Sequence, residues 1–198
     1  MNKLIVLGID PSFTNMGLCV GDLNLSQHEI GIHCLEVLHL QLVSTEVQNK
    51  KSVRKSSDDL RRAKELHTEL QNVISVYKPH IIFTEVPSGS QSAVAAKGLG
   101  IAVGVLASIT QPLIQVSQLE VKLASIGKKT ASKDEIIQWA INLYPEAPWL
   151  KHNKKLVAKN EHIADSVAVI NAGIATEEFK SLMVAFKAAH HHIKMKRR

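Results

Sequence analysis

Continuous apolar runs alternate with amphipathic stretches along most of the chain. Leu4–Ile9 and His80–Thr84 are apolar enough to be strands buried on both faces of a sheet. A stripe of apolar residues at helical spacing runs from Leu60 to Tyr77 and stops at Lys78-Pro79. The pattern predicts strands at Leu4–Ile9, Met16–Val20, Leu35–Val43, His80–Thr84 and Leu113–Val116, and helices from Ser57 or Asp58 to Tyr77, at Ala93–Ile109, Thr130–Leu143, His162–Ala175 and Glu177–Ile193.

The spacing of these elements predicts the fold class. The first three strands follow one another closely, as in an antiparallel meander, whereas the later strands alternate with helices and are expected to add in parallel. We therefore expect an α/β fold in which helices flank a mixed five-stranded sheet. The small residues of Ala93–Ile109 predict a helix packed closely against that sheet. One domain is expected over 1–176, followed by a basic helix or tail over 177–198.

Charge indicates the kind of partner. The formal net charge is +6 and the pI about 9.3, which favours polyanions. The basic residues cluster at 49–57, 127–133, 150–155 and the C-terminal end. Cys19 and Cys34 lie in apolar surroundings without zinc-site spacing, so we expect two unreactive thiols in a reducing compartment.

No feature of the sequence predicts a membrane protein. The first apolar run ends at Asp10-Pro11, too early for a signal peptide. The longest apolar stretch, Gly98–Ile109, is shorter than the ~20 residues that a membrane span needs. We expect a soluble protein without a membrane partner, located in a bacterial cytoplasm or in a virus-infected host cell.

Two acids follow buried strands. Asp10 ends the first strand and Glu85 ends the fourth. Ligands in α/β sheets bind beyond the carboxyl ends of strands, and an unpaired buried carboxylate is costly. An Asp-Pro turn and an exposed strand end would explain each acid separately. Together the two acids favour one site, and oxygen donors favour Mg²⁺ or Mn²⁺.

A second pair of candidate ligands lies at the start of a later helix. His162 and Asp165 are spaced i, i+3 and share one helix face. The alternative is helix-start chemistry, in which Asn160 is the cap and the macrodipole favours Glu161 and Asp165. That alternative explains Asp165 poorly, because Asp165 lies beyond the first turn.

Several stretches in matching order resemble the RuvC family of Holliday-junction resolvases, which has an RNase H-like fold. They are Gly8-Ile-Asp-Pro-Ser-Phe-Thr-Asn-Met-Gly17, Ile81-Ile-Phe-Thr-Glu85 and Glu161-His-Ile-Ala-Asp-Ser-Val-Ala168, with Val121-Lys122 before Gly127 and Ala131-Ser-Lys133 opening the next helix. The resemblance covers roughly residues 3–175 and includes the four candidate ligands.

The resemblance implies a role for each matching residue. Asp10, Glu85 and Asp165 match metal ligands, and His162 falls where family members carry Asp or His. Lys122 and Lys133 match basic residues near the scissile phosphate or the DNA backbone, with Lys133 expected in catalysis. Further DNA contacts are expected at Lys128, Lys129, Ser88 and Ser90. Two Mg²⁺ ions, replaceable by Mn²⁺ and ~3.5–4 Å apart, would activate a water and stabilise the leaving 3′ oxygen.

The implied function is a metal-dependent endonuclease that resolves Holliday junctions or related branched DNA by paired symmetric nicks. Two symmetric cuts imply a C2 homodimer. The chain departs from the family in the loop Val86–Ser92, which lacks the aromatic that family members usually carry after the fourth-strand Glu. Phe13 is the candidate replacement, although a buried core Phe is the simpler interpretation. The tail with His190–His192 is also additional, and it is either a solvated basic end or a phosphate-binding arm.

Two other functions fit parts of the sequence. The first turn also resembles the phosphate-binding hairpin of actin- and hexokinase-type ATPases, but those proteins carry two such domains and 198 residues leave room for one. A catalytically silent, structure-specific DNA-binding module is the other alternative, and the presence of all the acids argues against it.

Overall fold

A mixed five-stranded sheet forms the centre of this computed structural model, which describes residues 3–27, 29–48, 53–86, 89 and 92–196, with side chains up to Phe186. The strands are β1 (Lys3–Asp10), β2 (Asn15–Asn24), β3 (Leu35–Ser44), β4 (Ile81–Glu85) and β5 (Leu113–Val116). They lie in the order β3-β2-β1-β4-β5. β1, β2 and β3 pair antiparallel, whereas β4 and β5 add in parallel. The predicted fold class is confirmed.

Helices cover both faces of the sheet. α1 (Lys55–Tyr77) and α2 (Ala93–Leu106) contribute to one core, and α3 (Gln118–Ile126), α4 (Lys133–Leu143), α5 (Asn160–Ala175) and α6 (Glu177–Lys196) lie on the other side. A short hairpin of β6 (Lys151–His152) and β7 (Lys155–Leu156) separates α4 from α5. No helix within the described ranges is long and apolar enough to cross a membrane.

Side-chain alternation along β1 divides the two cores. Leu4 and Val6 pack with α5, whereas Leu7 and Ile9 pack with α1. Successive strand residues face opposite sides of a sheet, so a continuous apolar run is what a central, doubly covered strand requires.

The helices begin and end within a few residues of their predicted positions. α1 begins at Lys55, before Ser57, and has no side-chain cap. Asp58, predicted to start it, instead pairs with Arg61. α4 begins after Ser132, which forms a capping box with Glu135. α5 begins at Asn160, α2 ends at Leu106 and α6 extends to Lys196.

Two elements were not predicted, and one predicted packing is wrong. α3 follows a capping box between Ser117 and Glu120 and ends at Gly127 in the left-handed region. The β6–β7 hairpin is the second element that was not predicted. The expectation that α2 packs closely against the sheet is wrong: it lies beside α1 and leaves most of its residues exposed.

The last helix is fixed to the core at its start. Phe179 is buried, and its ring meets the ring of Phe83 edge-on, with centroids 5.6 Å apart. The boundary at residue 176 stays a prediction, and the side chains of His190–His192 lie outside the described residues. Cys19 is buried, which raises the pKa of its thiol, and Cys34 is buried as well.

Candidate active site

Asp10 and Glu85 lie at the same edge of the sheet. β1 and β4 are parallel neighbours, and their register pairs Ile9 with Thr84, the residues just before the two acids. The carboxyl ends of parallel strands meet at one edge, so both carboxylates are brought to that edge as the strand pattern predicted.

The first turn of α5 meets the same edge. His162 Nδ1 donates to a carboxylate oxygen of Asp10 over 2.8 Å. Gly17, which pairs with Asp10 in the β1–β2 register, makes this approach possible. A Cβ at Gly17 would lie 1.8 Å from the carbonyl oxygen of His162. A side chain at this position would therefore push α5 away from Asp10.

Asp165 completes a group of three carboxylates. Burial raises the pKa of Asp165 to about 7, and the charges of Asp10 and Glu85 add to the rise. Burial likewise raises the pKa of Glu85 to about 7, with a further contribution from Asp10 and an opposing one from Lys122. The three acids are thus close enough to repel one another in a site with little water.

His162 is the positive or neutral partner in this acidic group. Burial acts to lower its pKa, but the hydrogen bond to Asp10 and the charges of Asp10, Glu161 and Asp165 together raise it. Its Nε2 lies 3.4 Å from a carboxylate oxygen of Glu161. Each ring nitrogen therefore faces a carboxylate, which fixes the orientation of the imidazole.

The donor set suits a hard divalent cation. Across the described residues, no three acidic, cysteine or histidine side chains already stand together at metal-ligand spacing. The chemistry nevertheless fits, because three carboxylates and one imidazole share one edge, and two of the carboxylates carry raised pKa values. A bound cation would offset the repulsion that raises them.

The predicted basic residues are distributed unequally around the acids. Lys122, on α3, is half-buried and close enough to Glu85 to lower its pKa. Lys133 lies 3.1 Å from Glu161, and Lys128 lies 3.1 Å from Glu135. Lys129 is exposed in the turn before α4. Ser88 and Ser90 lie outside the described residues, so their predicted DNA contacts stay predictions.

Phe13 is not a free wedge. Its ring is half-buried, and the guanidinium of Arg62 lies 4.0 Å from the ring centroid. Arg62 also donates to the carbonyl of Phe13 and to the hydroxyl of Thr14. The arginine therefore holds the first turn and covers one face of the ring, which favours the structural interpretation of Phe13.

The expectation that Asn160 caps α5 is wrong. Asn160 is the first residue of the helix and is fully buried. Its side-chain oxygen accepts from the amide of Leu150, and its nitrogen donates to the carbonyls of Leu150 and Val157. Asn160 therefore fastens the base of the β6–β7 hairpin to the helix that carries His162. A single Asn before an apolar helix is a capping signal, and nothing local distinguishes these two roles.

The chain is similar to known proteins in sequence and in fold. No family model matches the chain. The chain is 26% identical over 136 residues to the crossover junction endodeoxyribonuclease RuvC of Prochlorococcus marinus, and the match covers 67% of this chain and 77% of that protein.

Two solved structures share most of the fold. RuvC of T. thermophilus in complex with a Holliday junction substrate superimposes with a TM-score of 0.61 at 22% identity, over 85% of this chain and 92% of that chain. The yeast mitochondrial Holliday junction resolvase Ydc2 gives a TM-score of 0.59 at 14% identity, over 85% and 77%. The RNase H-like fold and the predicted resemblance to the RuvC family are confirmed.

Proposed function

We propose that this chain is a metal-dependent, structure-specific endonuclease that resolves Holliday junctions or related branched DNA. The observation that carries the proposal is the convergence of Asp10, Glu85, Asp165 and His162 on one sheet edge of a RuvC-like fold. The relatives' names describe a crossover junction endonuclease and junction resolvases, which agree with this chemistry.

The four side chains would share the work as follows. Asp10, Glu85 and Asp165 would hold divalent ions, with Mg²⁺ the expected metal and Mn²⁺ its substitute. When bound, two such ions supply an activated water and stabilise the leaving 3′ oxygen. His162 orients the Asp10 carboxylate through its Nδ1–H, and the neighbouring carboxylates, which raise its pKa, favour the protonated imidazole.

The neighbouring lysines would bind the DNA backbone. Lys122 places a positive charge beside Glu85, where a phosphate bound at the acids would need compensation. Lys133 is exposed apart from its pairing with Glu161, so it is free to exchange that carboxylate for a phosphate. Lys128 and Lys129 extend the same basic surface at the start of α4.

Paired nicks require two active sites, and α2 supplies a surface on which two copies could meet. The helix exposes Val103 together with Gly100 and Gly104, at which an added Cβ would meet nothing within 4 Å. Such an apolar face is costly in water and suits a homodimer. α2 also follows the loop after Glu85, so a partner there would lie close to the active site.

Cleavage of a panel of labelled DNAs tests the proposal. Four-way junctions, forks, flaps and linear duplexes are incubated with Mg²⁺ or Mn²⁺, and the nick positions are mapped on every strand. We expect paired symmetric nicks in four-way junctions and little cutting of linear duplex. The variant Asp10→Asn should lose cleavage by about a thousandfold or more while still binding the junction, because the DNA-contacting lysines are unchanged.

Two outcomes would contradict the proposal. Cleavage retained by Asp10→Asn would exclude this metal site. Tight junction binding by the unaltered protein without cleavage under any metal would instead indicate a structure-specific binding module.

A further inference from the structure

A basic β-hairpin directly precedes the helix that carries His162 and Asp165, and it has no role in the chemistry described so far. Its six residues, Lys151–Leu156, are all exposed and include three lysines and one histidine but no acid. None of Lys151, Lys154 and Lys155 forms an ion pair with the carboxylates of the described residues. This concentration of uncompensated charge is what a polyanion would bind.

The backbone of the hairpin is regular, unlike that of an ordinary charged loop. Lys151 pairs with Leu156 and His152 with Lys155. The two turn residues, Asn153 and Lys154, have φ of 49° and 65°, as a type I′ turn requires. The backbone positions that carry the cations are therefore defined by the pairing, which lowers the backbone entropy lost when the hairpin binds a partner.

The base of the hairpin is attached to the active-site helix. The amide of Val157 donates to the carbonyl of Leu150 and closes the base, and buried Asn160 binds both of these residues. Asn160 precedes His162 by two residues, or about 3 Å along the helix axis. The base of the hairpin therefore lies at the start of α5, near the edge of the sheet that carries Asp10.

The two faces of the hairpin both carry positive charge. Cross-strand partners share a face, so Lys151 lies on one face and Lys155 and His152 lie on the other, with Lys154 at the tip. Three residues on each side carry the tip roughly 10 Å from the base. That reach is comparable to the axial length of about three phosphates of one strand, which rise about 3.4 Å each along the axis of a duplex.

We infer that the β6–β7 hairpin inserts between two arms of branched DNA and contacts the phosphate backbone of both. A linear duplex would contact one side of the hairpin only, whereas two arms of a junction would contact both sides. The inference rests on the proposed function, and it assigns the recognition of branching to a charged hairpin in a chain whose loop after Glu85 lacks an aromatic.

The salt dependence of DNA binding tests this placement. The triple variant Lys151→Gln, Lys154→Gln, Lys155→Gln is compared with the unaltered protein on a four-way junction and a linear duplex without divalent metal. Each lost phosphate contact lowers the slope of log affinity against log salt by about 0.9. We expect the slope to fall by roughly 2–3 units with the junction and by about 1 unit with the duplex.

A matched control removes the same charge elsewhere. Lys64 is exposed on α1 and Lys78 directly after it, on the opposite face of the sheet, and Lys180 is exposed on α6. The variant Lys64→Gln, Lys78→Gln, Lys180→Gln should leave both slopes unchanged. A hairpin variant whose slope on the junction equals that of this control overturns the inference. Equal losses on junction and duplex overturn the two-arm placement.

Cross-linking gives an independent measurement. Both native cysteines are buried, so a single new cysteine can be labelled selectively. Lys155→Cys carrying a photoreactive group should cross-link to junction strands near the branch point, and Lys64→Cys should not. Cross-links confined to distant arm ends would exclude the placement. If the unaltered protein binds no junction, the proposed function fails, whereas an unaffected hairpin variant of a junction-binding protein refutes only this inference.

Discussion

Two apolar helices of similar composition have opposite environments in this protein. α5 is rich in Ala, Val and Ile and lies almost wholly in the core. α2 is built from the same residue types and is mostly exposed. The hydropathy of a helix therefore indicates that its apolar face must be buried, but it does not indicate which surface buries that face. Within the chain the sheet, α3 and α4 cover α5, whereas α2 lies beside α1 and buries three residues, Ala102, Val105 and Leu106.

The difference follows chemistry as well as packing. α5 brings His162 and Asp165 to Asp10 and Glu85, so its position must be fixed within each molecule. α2 carries no acid, and its only charged side chain, Lys97, pairs with Asp59. We therefore expect substitutions around α5 to change stability and metal binding, and substitutions on α2 to change assembly.

The largest expected effect is the pH dependence of stability in the absence of metal. The folded pKa values of Glu85 and Asp165 are about 7, above their ordinary values of 4.5 and 3.8. The folded state thus retains protons that the unfolded chain releases, and stability falls as pH rises from about 4 to 7. The raised pKa of His162 acts in the same direction, because stability from its charged form is lost as pH rises through that value.

Thermal unfolding in a chelator between pH 5 and pH 8 measures this effect. We expect the free energy of unfolding to fall by roughly 3 kcal/mol over that range, and Mg²⁺ at pH 8 to restore most of it. Glu85→Gln should flatten the pH dependence and weaken the response to Mg²⁺, whereas Gly100→Ala on α2 should preserve both. A chelated protein equally stable at pH 5 and pH 8 would refute the crowding of these acids.

Two glycines give a matched test of packing. A Cβ at Gly173 on α5 would lie 2.0 Å from the ring of buried Phe83, whereas a Cβ at Gly100 on α2 would meet nothing within 4 Å. Gly173→Ala should therefore cost about 2 kcal/mol by overpacking, and Gly100→Ala should be neutral or stabilising by up to about 1 kcal/mol through helix propensity. Denaturant titration measures both. Equal effects would mean that the two helices are equally packed.

The exposed face of α2 gives a smaller effect, in assembly. Val103→Glu places a charge on the proposed dimer surface, and we expect the dimer to dissociate already at a roughly thirtyfold higher protein concentration than the unaltered protein. Val76→Glu on α1 is the control, because Val76 is exposed outside that surface. Analytical ultracentrifugation distinguishes the two. Unchanged association of Val103→Glu would place the dimer contact elsewhere.

Much of the fold could be predicted because its signals are local. The apolar runs of β1 and β4 are long and strongly patterned, and the acids that end them follow directly in the sequence. Parallel pairing then places Asp10 and Glu85 together by topology alone. The i, i+3 spacing of His162 and Asp165 likewise follows from helix geometry.

The rest depends on contacts between distant segments. Nothing near Asn160 indicates that its side chain binds Leu150, ten residues earlier, rather than the helix start. The β6–β7 turn uses Asn-Lys, without the Gly that usually marks a type I′ turn. The exposure of α2 was mispredicted because the spacing of apolar residues along a helix does not indicate which surface of the protein lies opposite that helix. Gly17 belongs to the first stretch that resembles the RuvC family. The reason for a glycine at this position is the backbone of His162, which a Cβ at Gly17 would overlap.

His162 gives the sharpest test of how α5 acts. His162→Ala removes the hydrogen bond to Asp10 and the titrating group together, and we expect cleavage to slow by about tenfold to a hundredfold.

His162→Asn retains an N–H donor for Asp10 but does not titrate near neutral pH. If His162 only orients Asp10, His162→Asn should recover most of the rate with an unchanged pH–rate profile. If its proton takes part, His162→Asn should lose one limb of that profile, as should His162→Ala. A His162→Ala enzyme with both rate and profile unchanged would reduce His162 to a packing residue. The function of α5 would then rest on Asp165 alone.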